Sequence, residues 1–241
     1  MPVLEAQHLD VHFGAHAAVR DVSLSVDAGT IVGLIGPNGA GKTTTFNAIA
    51  GVQRCRGTVR LDGTDVSKAP PHRRAHLGMN RTFQRLEVFG SMTAFDNILT
   101  AAEIAGLNRR AGVRGARAVA DQVVELLGLG AVADRRADAL PTGQARLVEL
   151  GRALATGPKV VLLDEPASGL DDVETERLAA VLREVVADGL AVLLVEHDMD
   201  LVMQLCSIIN VLDFGEIIAC GSPDEVRSDA QVRAAYLGAV S

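Results

Sequence analysis

Hydrophobic and polar residues alternate along residues 3–13 and 19–26, where V-S-L-S-V sends every second side chain to one face. Both stretches predict strands. Residues 31–35, IVGLI, form a short apolar run that stops at Gly36, and 43–50 predict a helix. The segment 57–63, GTVRLDG, closes on Asp-Gly, a turn signal, and 78–83 predict another short strand. The middle of the chain changes character. Residues 92–130 carry a helical pattern interrupted at 106–115 by GLNRRAGVRG, whose glycines and arginines predict a solvated loop. Residues 143–155 predict an amphipathic helix with Leu147, Leu150 and Leu154 on one side. VVLLD at 160–164 and AVLLVE at 191–196 are continuous apolar runs ending in an acid, the pattern of strands buried on both faces. A helix over about 172–187 lies between them, and two short strands near 208–219 and two short helices follow.

Strands alternating with helices predict an α/β domain with a mostly parallel sheet. The helical block at about 88–155 predicts an inserted subdomain. One domain is therefore expected over 1–241, its core built from about 1–87 and 156–241.

Composition narrows the function classes. Aromatic residues make up 3% of the chain and Trp is absent, too few for a protein that stacks on single-stranded bases. The net charge of −7 repels a phosphate backbone, so no nucleic-acid partner is expected. Cys55, Cys206 and Cys220 are scattered and odd in number, which suits a reducing compartment better than a disulfide framework. The first residues, MPVLEAQHLD, lack a basic segment and an apolar core, so no signal peptide is expected. The apolar runs are too short to span a bilayer, so a membrane role must act through a partner.

The chemistry is concentrated at strand ends. GPNGAGKT at 36–43 fits GxxxxGK[ST], follows an apolar strand and opens a helix. Its glycines let backbone N–H groups wrap phosphates, Lys42 brings a cation to the β- and γ-phosphates, and Thr43 offers a hydroxyl to Mg²⁺. A glycine-rich turn with an incidental lysine is the competing reading. Asp164, closing a buried strand, is placed to hold Mg²⁺ through water, and Glu165 beside it to polarise an attacking water. A strand end with two solvated acids is the alternative. His197, between Glu196 and Asp198, is placed either to contact a γ-phosphate or to serve as an ordinary strand-end histidine. Neighbouring strand residues face opposite ways, which argues against a metal on all three. His8, His12 and His16, and His72 with His76, are spaced by four but match no metal motif.

Together these motifs resemble, over essentially the whole chain and in order, the ATP-binding subunits of ABC transporters. The resemblance implies a P-loop ATPase fold: a mixed or parallel core sheet, an N-terminal antiparallel β subdomain and an inserted α-helical subdomain. It implies that Phe13 stacks on adenine and that Gly36, Pro37, Asn38, Gly39, Ala40, Gly41, Lys42, Thr43 and Thr44 hold ATP. Mg²⁺ is expected on Thr43, Gln84 and Asp164, and catalysis on Glu165, His197 and Gln84, the last being the Q-loop residue of RTFQ. LPTGQ, Leu140, Pro141, Thr142, Gly143 and Gln144, stands at the family's signature motif, and Asp171 of SGLD at its D-loop.

The implied mechanism sandwiches two ATPs between two ATP-binding subunits, alike or different. Two transmembrane permease subunits dock near Gln84, and a soluble solute-binding protein acts indirectly. Such a chain works in the cytoplasm on the inner face of the cell membrane. NRTFQRLEVFGSMTAFDNI at 80–98, GSPDEV at 221–226 and AYLG at 235–238 further resemble the ATPases of branched-chain amino acid importers, a group that includes amide and urea importers. A lipopolysaccharide-exporting ATPase shares the terminal YLG, so a lipid or lipopolysaccharide exporter is the alternative. A soluble ABC ATPase would usually carry two cassettes or a coiled coil, which this chain lacks. A phosphotransferring kinase fits Glu165, Gln84 and His197 less well than water as acceptor does. In the signature, Pro141 replaces the usual serine and offers no N–H, while Thr142 carries a hydroxyl one position later. Related importers often lack that serine, so the change implies at most a slower ATPase. Thr142 is the expected N-cap of the following helix, whose acid-free first turn leaves its positive end open to an anion.

Overall fold

The apolar runs at 31–35, 160–164 and 191–195 become the centre of a six-stranded sheet in the computed structural model. The structure describes residues 1–82, 86–109 and 112–237, with backbone alone at 107–109, 112–114 and 237. The sheet order is β10 (Glu216–Gly221), β9 (Ile208–Asp213), β3 (Ile31–Ile35), β8 (Ala191–Val195), β7 (Val160–Asp164) and β6 (Met79–Arg81). All neighbours are parallel except β9 and β10, which form a hairpin. A second sheet is antiparallel: β2 (His16–Val26), β1 (Leu4–Phe13), β4 (Arg56–Leu61) and β5 (Thr64–Asp65).

The two-residue period of a strand divides the interior into two cores. Val161 and Leu163 of β7, with Val192 and Leu194 of β8, face the helices. Val160 and Leu162, with Ala191, Leu193 and Val195, face the antiparallel sheet and helix α1 (Lys42–Ala50). A continuous apolar run is therefore two buried faces read in one line.

The helical region holds α3 (Ala94–Arg109), α4 (Gly112–Leu126) and α5 (Thr142–Ala155); α2 (Pro71–His76) precedes β6. Here the pattern and the structure part company. The predicted loop at 106–115 is helical to Arg109 and again from Gly112. Ala102, Ala116 and Ala120 are buried where α3 packs on α4. An isolated glycine costs a helix only about 1 kcal/mol, which such burial outweighs. Strand β2 likewise begins at His16, three residues earlier than its alternation predicts, because β1 pairs with it back to His16 opposite Phe13. The chain closes with α6 (Asp172–Ala187), α7 (Met199–Leu205), α8 (Pro223–Ser228) and α9 (Ala230–Leu237). Among the described residues, no helix is long and apolar enough to cross a membrane.

Candidate nucleotide-binding site

Strands β3, β8 and β7 pair in parallel, so their carboxyl ends open on one edge, the usual ligand edge of such sheets. The loop after β3 runs from Gly36 to Gly41. Gly36, Gly39 and Gly41 have φ of 152°, 83° and 105°, a region L-side chains avoid. A Cβ at Gly36 would run into the Leu212 carbonyl, and one at Gly41 would lie 2.6 Å from the Ala18 carbonyl oxygen. A Cβ at Gly39 would meet nothing within 4 Å, so that side of the loop is open. Pro37 is half-buried, Asn38 exposed and Ala40 buried.

Helix α1 starts at Lys42 with Gly41 as N-cap. No side chain caps it and its first turn holds no acid, so its N–H groups and positive dipole end are available to an anion. Thr43 is exposed and Thr44 half-buried in that turn. Lys42 is buried and donates from Nζ to the carbonyls of Gly36 at 2.6 Å and Pro37 at 3.1 Å. Burial lowers its pKa, and the charges of Glu165 and Asp164 oppose that. On the other flank, burial raises the pKa of the Tyr236 phenol in α9, and the Gly36 backbone lowers it.

Asp164 ends β7 and is buried. Its Oδ2 accepts from Arg81 Nη2 at 3.1 Å. Burial pushes its pKa up, while Arg81 and Lys42 pull it down. Glu165 follows in the left-handed region, φ 50°, and its N–H donates to the Val195 carbonyl at 2.8 Å. Its Oε1 lies 2.7 Å from His197 Nε2. A non-glycine residue held at positive φ marks backbone strain of the kind found at functional sites. Glu196 is buried and accepts from the N–H groups of Ala167 at 2.7 Å and His197 at 2.9 Å; burial raises its pKa and these bonds oppose the rise. Asp198 caps α7 through the N–H groups of Asp200 and Leu201. Glu196 and Asp198 thus hold the backbone on either side of His197. Phe13 stands half-exposed at the end of β1 and is not a core residue.

The 140–144 segment differs in detail from its sequence reading. The N-cap of α5 is Pro141, not Thr142, and no side chain caps the helix. The Pro141 carbonyl already accepts the first helical bond, from Ala145 N–H at 3.0 Å, which puts Thr142 at the first helical position. Proline's fixed φ, here −55°, and missing N–H suit that edge. The helix end is not left open either. A Cβ at buried Gly143 would run into the carboxyl group of Glu174, so tertiary structure supplies the acid that the local sequence lacks. Pro141 and Thr142 are exposed, Leu140 and Gln144 half-buried. Asp171 N-caps α6, accepting from Glu174 N–H at 2.8 Å, while its own N–H donates to Glu174 Oε2 at 3.2 Å. Gln84 lies outside the described residues.

The structure thus brings Lys42, Asp164, Glu165 and His197 to one edge. Sequence reasoning missed Arg81 and Glu174, whose partners are distant in the chain. A lone arginine inside a predicted short strand was the available signal for the first. His8 pairs with Asp21 at 2.6 Å, and the His72 and His76 rings meet edge-on at 6.5 Å. No cluster of three or more metal-ligating side chains occurs among the described residues.

A glycine-turned loop, a bare helix start and a buried lysine at the end of a parallel strand define a P-loop nucleotide-binding protein. Comparison with known proteins narrows the class. The family model for ABC transporter matches residues 19–168, and that for branched-chain amino acid ATP-binding cassette transporter matches 216–240. The chain is 40% identical to the high-affinity branched-chain amino acid transport ATP-binding protein BraF of Pseudomonas aeruginosa, with 98% of each chain covered. It is 36% identical to the lipopolysaccharide export system ATP-binding protein LptB of Haemophilus influenzae, covering 99% of this chain and 98% of that one. A solved ATP-binding cassette of an ABC transporter in its ADP conformation superposes with a TM-score of 0.87 at 32% identity, covering 99% of both chains. The chain belongs to the ABC transporter family, as an ATP-binding subunit whose ATPase activity is coupled to transport.

Proposed function

We propose that this chain energises a membrane importer for branched-chain amino acids or related small polar solutes such as amides and urea. The likeness to BraF, together with the branched-chain match at 216–240, supports the solute class. The comparable likeness to LptB favours a second reading, an exporter of lipid or lipopolysaccharide.

The observation that carries the catalytic reading is the 2.7 Å contact between Glu165 and His197 beside Lys42 and Asp164. Lys42 exchanges its bonds to the Gly36 and Pro37 carbonyls for phosphate oxygens, while the N–H groups of 36–44 wrap the phosphates. Phe13 stacks on the adenine. Hard oxygen donors suit Mg²⁺, and Thr43, Gln84 and Asp164 would hold it. When bound, it neutralises charge on the β- and γ-phosphates. Glu165 takes a proton from the attacking water as general base, and His197 fixes its carboxylate. Leu140, Pro141, Thr142, Gly143, Gln144 and Asp171 face the ATP of a second ATP-binding subunit, alike or different, so ATP closes the pair and hydrolysis reopens it. Glu174 must then swing off the start of α5 as the γ-phosphate arrives.

Two permease subunits dock at a groove lined by Glu87, Phe89, Ile104, Glu149 and Arg152. Phe89 and Ile104 are exposed there, and the Arg152 guanidinium lies 4.4 Å from the centre of the Phe89 ring. A soluble solute-binding protein completes the importer. The chain then sits on the cytoplasmic face of the membrane.

Glu165→Gln tests the reading. It is expected to bind ATP, to lose turnover by about 100-fold or more, and to form a stable pair with its partner ATPase. Turnover at the wild-type rate would remove Glu165 from the base role. Leucine uptake in a strain lacking the chain separates import from export: uptake unaffected by the deletion favours the exporter.

A further inference from the structure

Three charged side chains share the interior beneath the P-loop. Lys42 and Asp164 belong to the reading above; Arg81 has no part in it. Arg81 ends β6, and its side chain is only 9% exposed. Nη1 donates to Asn47 Oδ1 of α1 at 2.6 Å, Nη2 to Asp164 Oδ2 at 3.1 Å, and Nε to the Thr82 carbonyl at 3.2 Å. The guanidinium lies 5.9 Å from the centre of the Phe46 ring. A buried guanidinium carries a large desolvation cost, and an apolar side chain of similar volume would fill the space with less. Its donors reach the two elements that carry Asp164 and Thr43, β7 and α1. With Oδ2 on Arg81, Oδ1 is the Asp164 oxygen left for a cation or its water.

We propose that Arg81 is a positioning residue for the metal end of the nucleotide site. It holds Asp164 through Oδ2 and sets it in register with α1 through Asn47, so that Asp164 and Thr43 address the same ion. The planar fork spans two acceptors in fixed geometry, which a lysine ammonium does not. Arg81 also stands three residues before Gln84, so the strand that leads into the Q-loop is tied directly to the Asp164 carboxylate. This inference rests on the reading of Asp164 as the Mg²⁺-side acid.

The test is binding of a fluorescent ATP analogue to the full chain, titrated with Mg²⁺ and repeated in EDTA. Arg81→Gln is expected to raise the Mg²⁺ midpoint about tenfold or more, the scale seen when a group that orients a metal ligand is removed. Affinity in EDTA should stay within about twofold of wild type. On an Asp164→Asn background, Arg81→Gln should add no further shift, because its route of action is gone. An equal loss in EDTA, or the full shift persisting without Asp164, overturns the proposal and leaves Arg81 a packing residue. If Arg81→Gln does not fold, the same criteria are read on Arg81→Lys, which keeps the cation and loses the fork. Wild type and the two single variants separate the two readings. A midpoint unchanged in Asp164→Asn removes the metal role of Asp164, whereas a Mg²⁺-dependent wild type with an unchanged Arg81→Gln removes Arg81 alone.

Discussion

Gly36 and Gly39 sit in one loop under different constraints. Both have positive φ, but a side chain at Gly36 meets the Leu212 carbonyl, while one at Gly39 meets open space. Gly36→Ala must therefore move backbone. It is expected to lose ATP binding and to unfold several degrees lower in a thermal scan. Gly39→Ala carries only the left-handed penalty, about 1–2 kcal/mol. It should stay folded and bind ATP more weakly, since the space it fills is the open side of the loop. Equal melting temperatures for the two variants would contradict this. At this scale, legibility follows chain distance. Lys42 and Thr43 were readable because a phosphate loop is contiguous. Arg81 was not, because Asn47 and Asp164 lie 34 and 83 positions away. Glu174 was missed for the same reason: nothing local to Gly143 announces a carboxylate from another helix.

Among the elements, α5 and α6 are capped in opposite ways. Asp171 and Glu174 cap α6 reciprocally, a device worth about 1 kcal/mol. Helix α5 has Pro141 at its N-cap in the extended conformation a capping residue adopts, φ −55° and ψ 153°, but with no side-chain acceptor. Pro141→Ser supplies one without changing that backbone. It is expected to stabilise the isolated chain by about 1 kcal/mol, seen as a rise of about 2–4 °C in melting temperature. A fall would mean that the proline's rigidity matters more than the missing cap. The helix from 142 was legible from its leucines, yet its cap was placed one residue late, because Thr is the better capping type and the proline's carbonyl was not visible. The interrupted helical pattern at 106–115 was misread for a related reason. Glycine content measures a local cost, and the packing of α3 on α4 is not local.

The molecule as a whole has its two cores on opposite faces of the six-stranded sheet, with the nucleotide edge between them. The groove by Phe89 and Ile104 is lined by residues of β6, α3 and α5, so a partner seated there would touch both the helical region and the sheet. Ile104→Asp places a charge on this exposed patch without touching the P-loop. It is expected to reduce co-purification with the permease subunits at least about tenfold, while ATP binding by the isolated chain stays within about twofold. Loss of ATP binding in the isolated chain would mean that the groove is not a separate surface. The expected division into a core from about 1–87 and 156–241 and a helical subdomain from about 88–155 remains a proposal. Limited proteolysis near those boundaries is its direct measure.

By itself the sequence determined the class of fold and the phosphate end of the site. Buried parallel strands announce themselves as unbroken apolar runs, and a phosphate loop needs its glycines and lysine at fixed contiguous spacing. Tertiary structure alone decided which oxygen of Asp164 is held and by what, that Glu174 covers the start of α5, and that Glu165 and His197 meet at 2.7 Å. Those contacts join residues from different strands and helices. Their energies depend on burial and distance, and neither exists until the chain has folded.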